Sequence, residues 1–319
     1  MSDFTKILMG NSKPIEMKGR LFIHGIDSRV EASLEFIRTK YENIVELELA
    51  IEYMEFHSET IKADFNQLVK LGYYPSNETE MELDHSIKHA LIGSYKSAFS
   101  DLRRGLELTV TSIYLLSEEV DRQKADDWIN SFENTPRFSA VLHKLIKNGY
   151  YKIINDKYEW KSNLQELYWS LSNFSHNKGR VKGYMELNNP SFFTAGTSLP
   201  TIKNDTLALF CNCYINTVKE VVTLQSLHNP VILFGVPIEK KFGSEGIMSG
   251  YLNDGQSEVI KRLIPENYKN YFNDLIEHDE EKKSVIEYFN SLPDLTEDDL
   301  NAQAMRQDEF LNDLKGGRV

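Results

Sequence analysis

"DHSIKHALIGSYKSAFSDLRRGLELTVTSIYLLSEEV", Asp84 to Val120, is the stretch whose reading decides the fold. Ile87, Leu91, Tyr95, Ala98, Leu102, Leu106, Ile113 and Leu116 fall on one broad helical stripe. The period predicts a long amphipathic helix over 84–122, starting near Asp84. Gly93 and Gly105 lie inside it. A helix interior tolerates each at a cost of about 1 kcal/mol, and close approach of a neighbouring helix is one reason to keep such a residue.

The same reading extends outward in both directions. Upstream, Val30, Leu34, Ile37, Tyr41, Ile44, Leu47, Ile51 and Met54 succeed one another at spacings of three or four. They predict a second long helix over 28–56, with Ser28 and Glu31 at capping-box spacing. It either runs on or breaks near His57–Ser58, and Gly72 and Pro75 stop the helical pattern beyond. Residues 1–27 read as irregular, with "GRLFIHG" (19–25) as the best short strand candidate. Downstream come shorter helices over "ADDWINSF", "PRFSAVLHKLI" and "NLQELYWSLSNFSH", a loop over 178–204, and a strong helix over "DTLALFCNCYINTVKEVVTLQSL". After Pro230 the character shifts: "PVILFGVPI" is strand-like and "KKFGSEGIMSGYLNDGQ" is a glycine-rich loop. Two helical stretches close the chain, from Pro265 and from Thr296, the latter with Asp299 at capping-box spacing. The expected fold is mainly α: a helical bundle over 28–229 and a small, mixed, acidic C-terminal appendage over 230–319.

Composition bounds the function. The chain has 319 residues, 41% hydrophobic and 26% charged, with no apolar run of membrane-spanning length and no signal-peptide pattern at its start. A cytoplasmic, reducing setting is the expectation, since the two cysteines, Cys211 and Cys213, are poorly placed for a disulfide. A formal net charge of −12 steers the protein away from nucleic-acid phosphates unless a local basic patch intervenes. Such a patch exists: Lys178, Arg180 and Lys182 crowd the loop after His176 and suit a phosphate.

Two constellations carry chemistry. Ser172, Asn173 and His176 share one helix face beside the apolar residues Leu167, Leu171 and Phe174. His176 is either a working residue or a cap on the last carbonyls. In "DLRRGLE", Glu107 is four residues after Arg103 and three after Arg104, so it can pair with either. Arginines among apolar residues need partners, and an antiparallel packing could bring one of them to His176, holding a phosphate while the histidine handles protons. Metal patterns are weak. His85 and His89 stand four apart, but no H-E-x-x-H pattern is present, and Asp84–His85 reads as a cap and its neighbour. No structural metal and no cofactor are expected. "GSEGIMSG" (243–250) has neither dinucleotide nor P-loop spacing, and no G-x-S-x-G elbow occurs.

"LRRGLE" on a long helix, "PRF" before a short one, and "LYWSLSNFSH" ending another resemble the HEPN (higher eukaryotes and prokaryotes nucleotide-binding) superfamily over roughly 85–228. The resemblance implies a four- or five-helix bundle, commonly dimeric. It also implies either a metal-independent ribonuclease of toxin and anti-phage systems or a non-catalytic binder of nucleotides or partners. The family signature is an Arg separated from a His by four to six residues. His176 matches the His, but Leu171, Ser170 and Trp169 stand where the Arg would be. The leading expectation is therefore a HEPN-like protein of an anti-phage or toxin-type system acting by binding and assembly. An active RNase with a rearranged site, using His176, Asn173, Arg103, Arg104 and Glu107, is one alternative. A purely structural oligomerisation subunit is the other. A homo-oligomer is expected, because the 28–56 helix carries Leu47, Leu49, Ile51, Tyr53, Met54 and Phe56 in adjacent stripes. A protein partner is expected at the weakly amphipathic C-terminal segment, RNA or a nucleotide is the expected ligand, and no membrane is involved.

Overall fold

In the computed structural model the described residues are 26–62, 73–116, 122–147, 149–175, 204–229, 240–243, 252–278 and 280–315; they are mainly helical and contain no strand. The helices are α1 Ile26–Lys40, α2 Ile44–Glu55, α3 His57–Lys62, α4 Tyr73–Leu91, α5 Tyr95–Leu116, α6 Arg122–Ile129 and α7 Phe138–Leu145. They continue with α8 Gly149–Tyr158, α9 Trp160–Ser175, α10 Asn204–His228, α11 Asp254–Leu263, α12 Glu266–His278, α13 Glu280–Ser291 and α14 Glu297–Lys315. Among the described residues no helix is long and apolar enough to cross a membrane. The strand candidates at 19–25 and 230–238 lie outside the described residues.

α5 is the axis of the bundle, packed by α4, α7, α9 and α10. Phe99, Leu102, Leu106 and Val110 along it are fully buried. Each such side chain contributes about 1.5–3 kcal/mol of burial. α4 and α5 form the tightest pair. A Cβ at Gly105 would lie 3.0 Å from Leu83 Cδ2, so the glycine is there for close approach. Hydroxyls line the same seam: Ser76 meets Ser112 at 2.8 Å and Thr79 meets Thr109 at 3.3 Å.

The expected long helices are each broken. The one over 84–122 is a hairpin: α4 begins eleven residues earlier, at Tyr73, and ends at Leu91. Pro75 stands in the first turn of α4, where its missing N–H removes no intrahelical bond; residues 63–72, whose helical pattern it is expected to stop, lie outside the described residues. Gly93 adopts φ +81°, with Gly93 N–H donating to Ala90 O (2.9 Å) and Ser94 N–H to His89 O (2.8 Å). This pair of bonds is a Schellman cap, which needs a left-handed residue and so takes glycine at low cost. Asp84 is consequently mid-helix and pairs with Lys88 instead of capping. The helix over 28–56 breaks at Tyr41–Asn43, where the Tyr41 hydroxyl (2.5 Å) and the Asn43 amide (3.0 Å) both donate to Asn212 Oδ1 on α10.

α2 is wedged between α10 and α11, and so buries Leu47, Leu49, Ala50 and Tyr53 on more than one side. Of the apolar residues crowding this helix, only Val45 and Ile51 are left exposed. α11 and α12 share the main core: Val259, Ile260, Leu263, Tyr268 and Phe272 belong to the same buried cluster as α5 and α10. α11 starts at an Asn253–Gln256 capping box in what the sequence presented as glycine-rich loop. The single helix expected from Pro265 is two, α12 and α13. The Thr296–Asp299 box caps α14 as expected, and its hydrogen bonds hold the Asp299 carboxyl below the usual carboxylate range. The start of α14 docks on its own chain: Leu295 N–H donates to Lys240 O (2.7 Å) and Gln303 Nε2 to Phe242 O (3.0 Å).

Candidate functional site

Successive residues of a helix diverge by about 100°, so the adjacent arginines of "DLRRGLE" leave α5 on different sides. Arg103 turns toward α9. Its Nη2 donates to Glu107 Oε1 at 3.0 Å, and the same oxygen accepts from the Tyr168 hydroxyl at 2.6 Å. The guanidinium sits 5.2 Å from the centre of the Tyr168 ring, which stacks on Phe138 at 4.0 Å. Burial works against the Arg103 charge, but Glu107 and Tyr168 outweigh it and raise its pKa. Burial and the Glu107 carboxylate likewise push the Tyr168 hydroxyl up.

Arg104 turns toward α4. Its Nε and Nη2 grip Glu82 in a two-pronged bridge (2.8 and 2.7 Å), Nη2 also reaches Asp101 Oδ1 (2.5 Å), and Nη1 donates to Ser100 Oγ (3.2 Å). The Glu82 hydrogen bonds raise its pKa against partial burial. Glu107 therefore pairs with Arg103 alone of the two arginines. Asp101 is 2% exposed and its other oxygen lies 2.6 Å from Nδ1 of His89. The hairpin at Gly93 creates this pair by folding the last turn of α4 onto the second turn of α5.

His89, Asp101 and Arg104 line an open cavity of about 340 Å³ with Lys96, Ser97, Ser100 and Ser175. It holds two strong cations, one carboxylate, an imidazole and three hydroxyls. An imidazole held through Nδ1 by a carboxylate has its orientation set and keeps Nε2 for proton transfer. A phosphate would find charged and hydroxyl donors here, but would compete with Glu82 and Asp101 for the guanidinium.

Ser175 ends α9 and immediately precedes His176 in the chain, so one peptide unit separates a cavity-lining residue from that histidine. His176, Lys178, Arg180 and Lys182 themselves lie outside the described residues. Asn173 is half-buried on α9. Trp169, on the same helix, is 54% exposed. The structure thus brings Arg104 to the end of α9, while Arg103 and Glu107 join Tyr168 one to two turns away.

The sequence presents His89 as half of a weak metal pair and does not single out Asp101, Glu82 or Lys96. The local signal is a histidine four residues before a glycine and an aspartate three before an arginine. It becomes legible once Gly93 is read as a helix end. His85 is exposed on α4 while His89 Nδ1 is taken by Asp101, and among the described residues no group of three or more His, Cys, Asp or Glu could hold a metal. Cys211 and Cys213 are buried free thiols, pushed up to about 12 by burial, which leaves them unreactive.

A second polar cluster lies deep in the bundle. Gln225 Oε1 accepts from the hydroxyls of Tyr53 and Thr60, and its Nε2 lies 2.8 Å from Nε2 of His57. The amide can only donate in that contact, so Nδ1 of His57 carries the proton and faces Glu80 at 3.8 Å. Tyr53, His57, Thr60 and Gln225 are buried and tie α2 and α3 to α10, while Glu80 reaches the surface.

Comparison of the chain with protein-family models, with curated proteins and with solved structures gives no match.

Proposed function

We propose that the protein is a HEPN-like, cytoplasmic component of an anti-phage or toxin-type system that acts by binding and assembly, with the cavity at the α4–α5 turn as its binding site. The ligand class is RNA or a nucleotide. One observation carries this reading: Ser175, the residue before His176, lines the same cavity as Arg104, His89 and Lys96. The basic residues Lys178, Arg180 and Lys182 follow it within a few positions in the sequence. Phosphate would be met by Lys96, the three serine hydroxyls and the cations of Lys178, Arg180 and Lys182. Fluorescence anisotropy with a short labelled single-stranded RNA tests it. Arg104→Ala and the triple change of Lys178, Arg180 and Lys182 to Gln should each weaken binding, with a shallower salt dependence for the triple variant. Salt-independent or absent binding by the wild type would overturn it.

Assembly is part of the proposal. Trp169 (54%), Phe132 (81%) and Met81 (51%) are large apolar side chains open to solvent, and sedimentation at micromolar concentration would read a homo-oligomer directly.

The His89–Asp101 pair beside Arg104 favours a second reading, a metal-independent ribonuclease with a rearranged site. It supplies an oriented imidazole and a cation without the missing signature arginine. RNA cleavage that persists in chelator and is lost in His89→Ala would select this reading over binding alone.

A further inference from the structure

α11 and α12 meet at the Ile264–Pro265 elbow, and a cavity of about 310 Å³ opens between them. Glu258, Lys261 and Arg262 line one wall and Lys269, Phe272 and Asn273 the other. Each trio has the spacing i, i+3, i+4, so each is one face of its helix, and the elbow turns the two faces toward each other. Ile264 (4% exposed) and Phe272 (3%) form an apolar floor beneath a charged rim.

The rim is basic on an acidic chain. Three cations face one carboxylate, Glu258, against a net charge of −12 for the whole sequence. Lys269 pairs with Glu266 at 2.5 Å, whereas neither Lys261 nor Arg262 meets a carboxylate among the described residues. The helix dipole accounts for basic residues in the last turn of α11. It does not account for Lys269, four residues into α12, where the dipole disfavours a cation. Two helices with opposite dipole ends at this elbow thus both place positive charge on the same opening.

We propose that this cavity binds a small organic phosphate ester. The phosphate would lie between Lys261, Arg262 and Lys269, and the apolar body of the ester over Ile264 and Phe272. Asn273 and Glu258 are placed to meet a hydroxyl or amine of that body. The volume falls in the range of small-molecule sites and is too small for a docked helix. The site is on the far side of the sequence from the α4–α5 turn and does not depend on that cavity.

The test is isothermal titration calorimetry on the full chain at low ionic strength with phenyl phosphate, AMP, inorganic phosphate and phenol. The expected result is binding of phenyl phosphate or AMP at least about tenfold tighter than inorganic phosphate, with no binding of phenol. Binding of AMP alone that the double substitution of Lys261 and Arg262 abolishes would mark a nucleotide as the source of the ester, and binding of phenyl phosphate alone a non-nucleotide ester; both support the site. Lys261→Gln/Arg262→Gln should weaken phenyl phosphate binding at least about tenfold, with an unchanged circular dichroism melt, while Arg104→Ala should leave phenyl phosphate binding intact. Equal affinity for inorganic phosphate and the esters, no ester binding, or binding untouched by the double substitution would overturn the proposal.

Discussion

Nδ1 of His89 and Oδ2 of Asp101 lie 2.6 Å apart, although the two residues sit on different helices and twelve positions apart in sequence. Gly93 makes this contact, because its left-handed conformation reverses the chain between them. Asp101 is then shared by His89 and Arg104, and Arg104 by Asp101 and Glu82.

Gly93→Ala should destabilise the protein by about 1 kcal/mol or more, the cost of forcing a Cβ into the left-handed region. Gly93→Asn should recover part of that loss, because asparagine tolerates the conformation. Thermal melts of the three proteins check the order glycine, asparagine, alanine.

Arg104→Ala should cost about 2 kcal/mol, more than an exposed ion pair is worth, because it leaves the buried Asp101 carboxylate with one fewer donor and frees Glu82. Arg104→Lys should rescue only part, since an ammonium cannot span both carboxylates in a planar fork. Urea midpoints at constant slope read the difference.

A double-mutant cycle on Tyr168→Phe and Glu107→Gln should give a coupling of about 1 kcal/mol, the value of a half-buried hydroxyl-to-carboxylate bond. Additive single effects would mean that the Tyr168 hydroxyl contributes nothing through Glu107.

Glu220 sets a pH dependence. Its carboxyl accepts the Trp160 indole N–H at 3.0 Å, and burial pushes it up to about 7 although the residue as a whole is only half-buried. A folded-state value above the ordinary 4.5 favours the protonated form in the native protein. The associated stability is complete below pH 4.5 and is lost as pH rises through 7, a loss of up to about 3 kcal/mol. Glu220→Gln keeps an acceptor for Trp160 and should remove this component. Denaturation at pH 5 and pH 8 should show the variant gaining most over wild type at pH 8.

Gly105→Ala should be destabilising despite the better helix propensity of alanine, because the new Cβ would press on Leu83, which is fully buried. Adding Leu83→Val should relieve the contact, so that the pair costs less than the sum of its parts by calorimetry.

Helix content was legible in the chain because an apolar stripe with a 3.6-residue period is a local property. The stripe says nothing of where a helix ends when its spacing survives a turn. Ile87, Leu91, Tyr95 and Ala98 keep spacings of four, four and three straight across Gly93, and Ile37, Tyr41, Ile44 and Leu47 keep spacings of four, three and three across the break at Tyr41–Asn43. The capping pair at Thr296–Asp299 was readable, since both partners lie within one turn, and the equivalent pair at Asn253–Gln256 carried the same local signal. "DLRRGLE" likewise announced its arginines and a Glu107 within reach of either, all on one helix, while the structure selects Arg103 as its partner. Only the tertiary structure decided that Arg103 goes to Tyr168 and Arg104 to Glu82 and Asp101, and that His89 faces the same carboxylate. Those partners come from other helices, and their meeting depends on the reversal at Gly93 and on the approach of α9 to α5. Sequence spacing within one helix carries no information about a contact made between two.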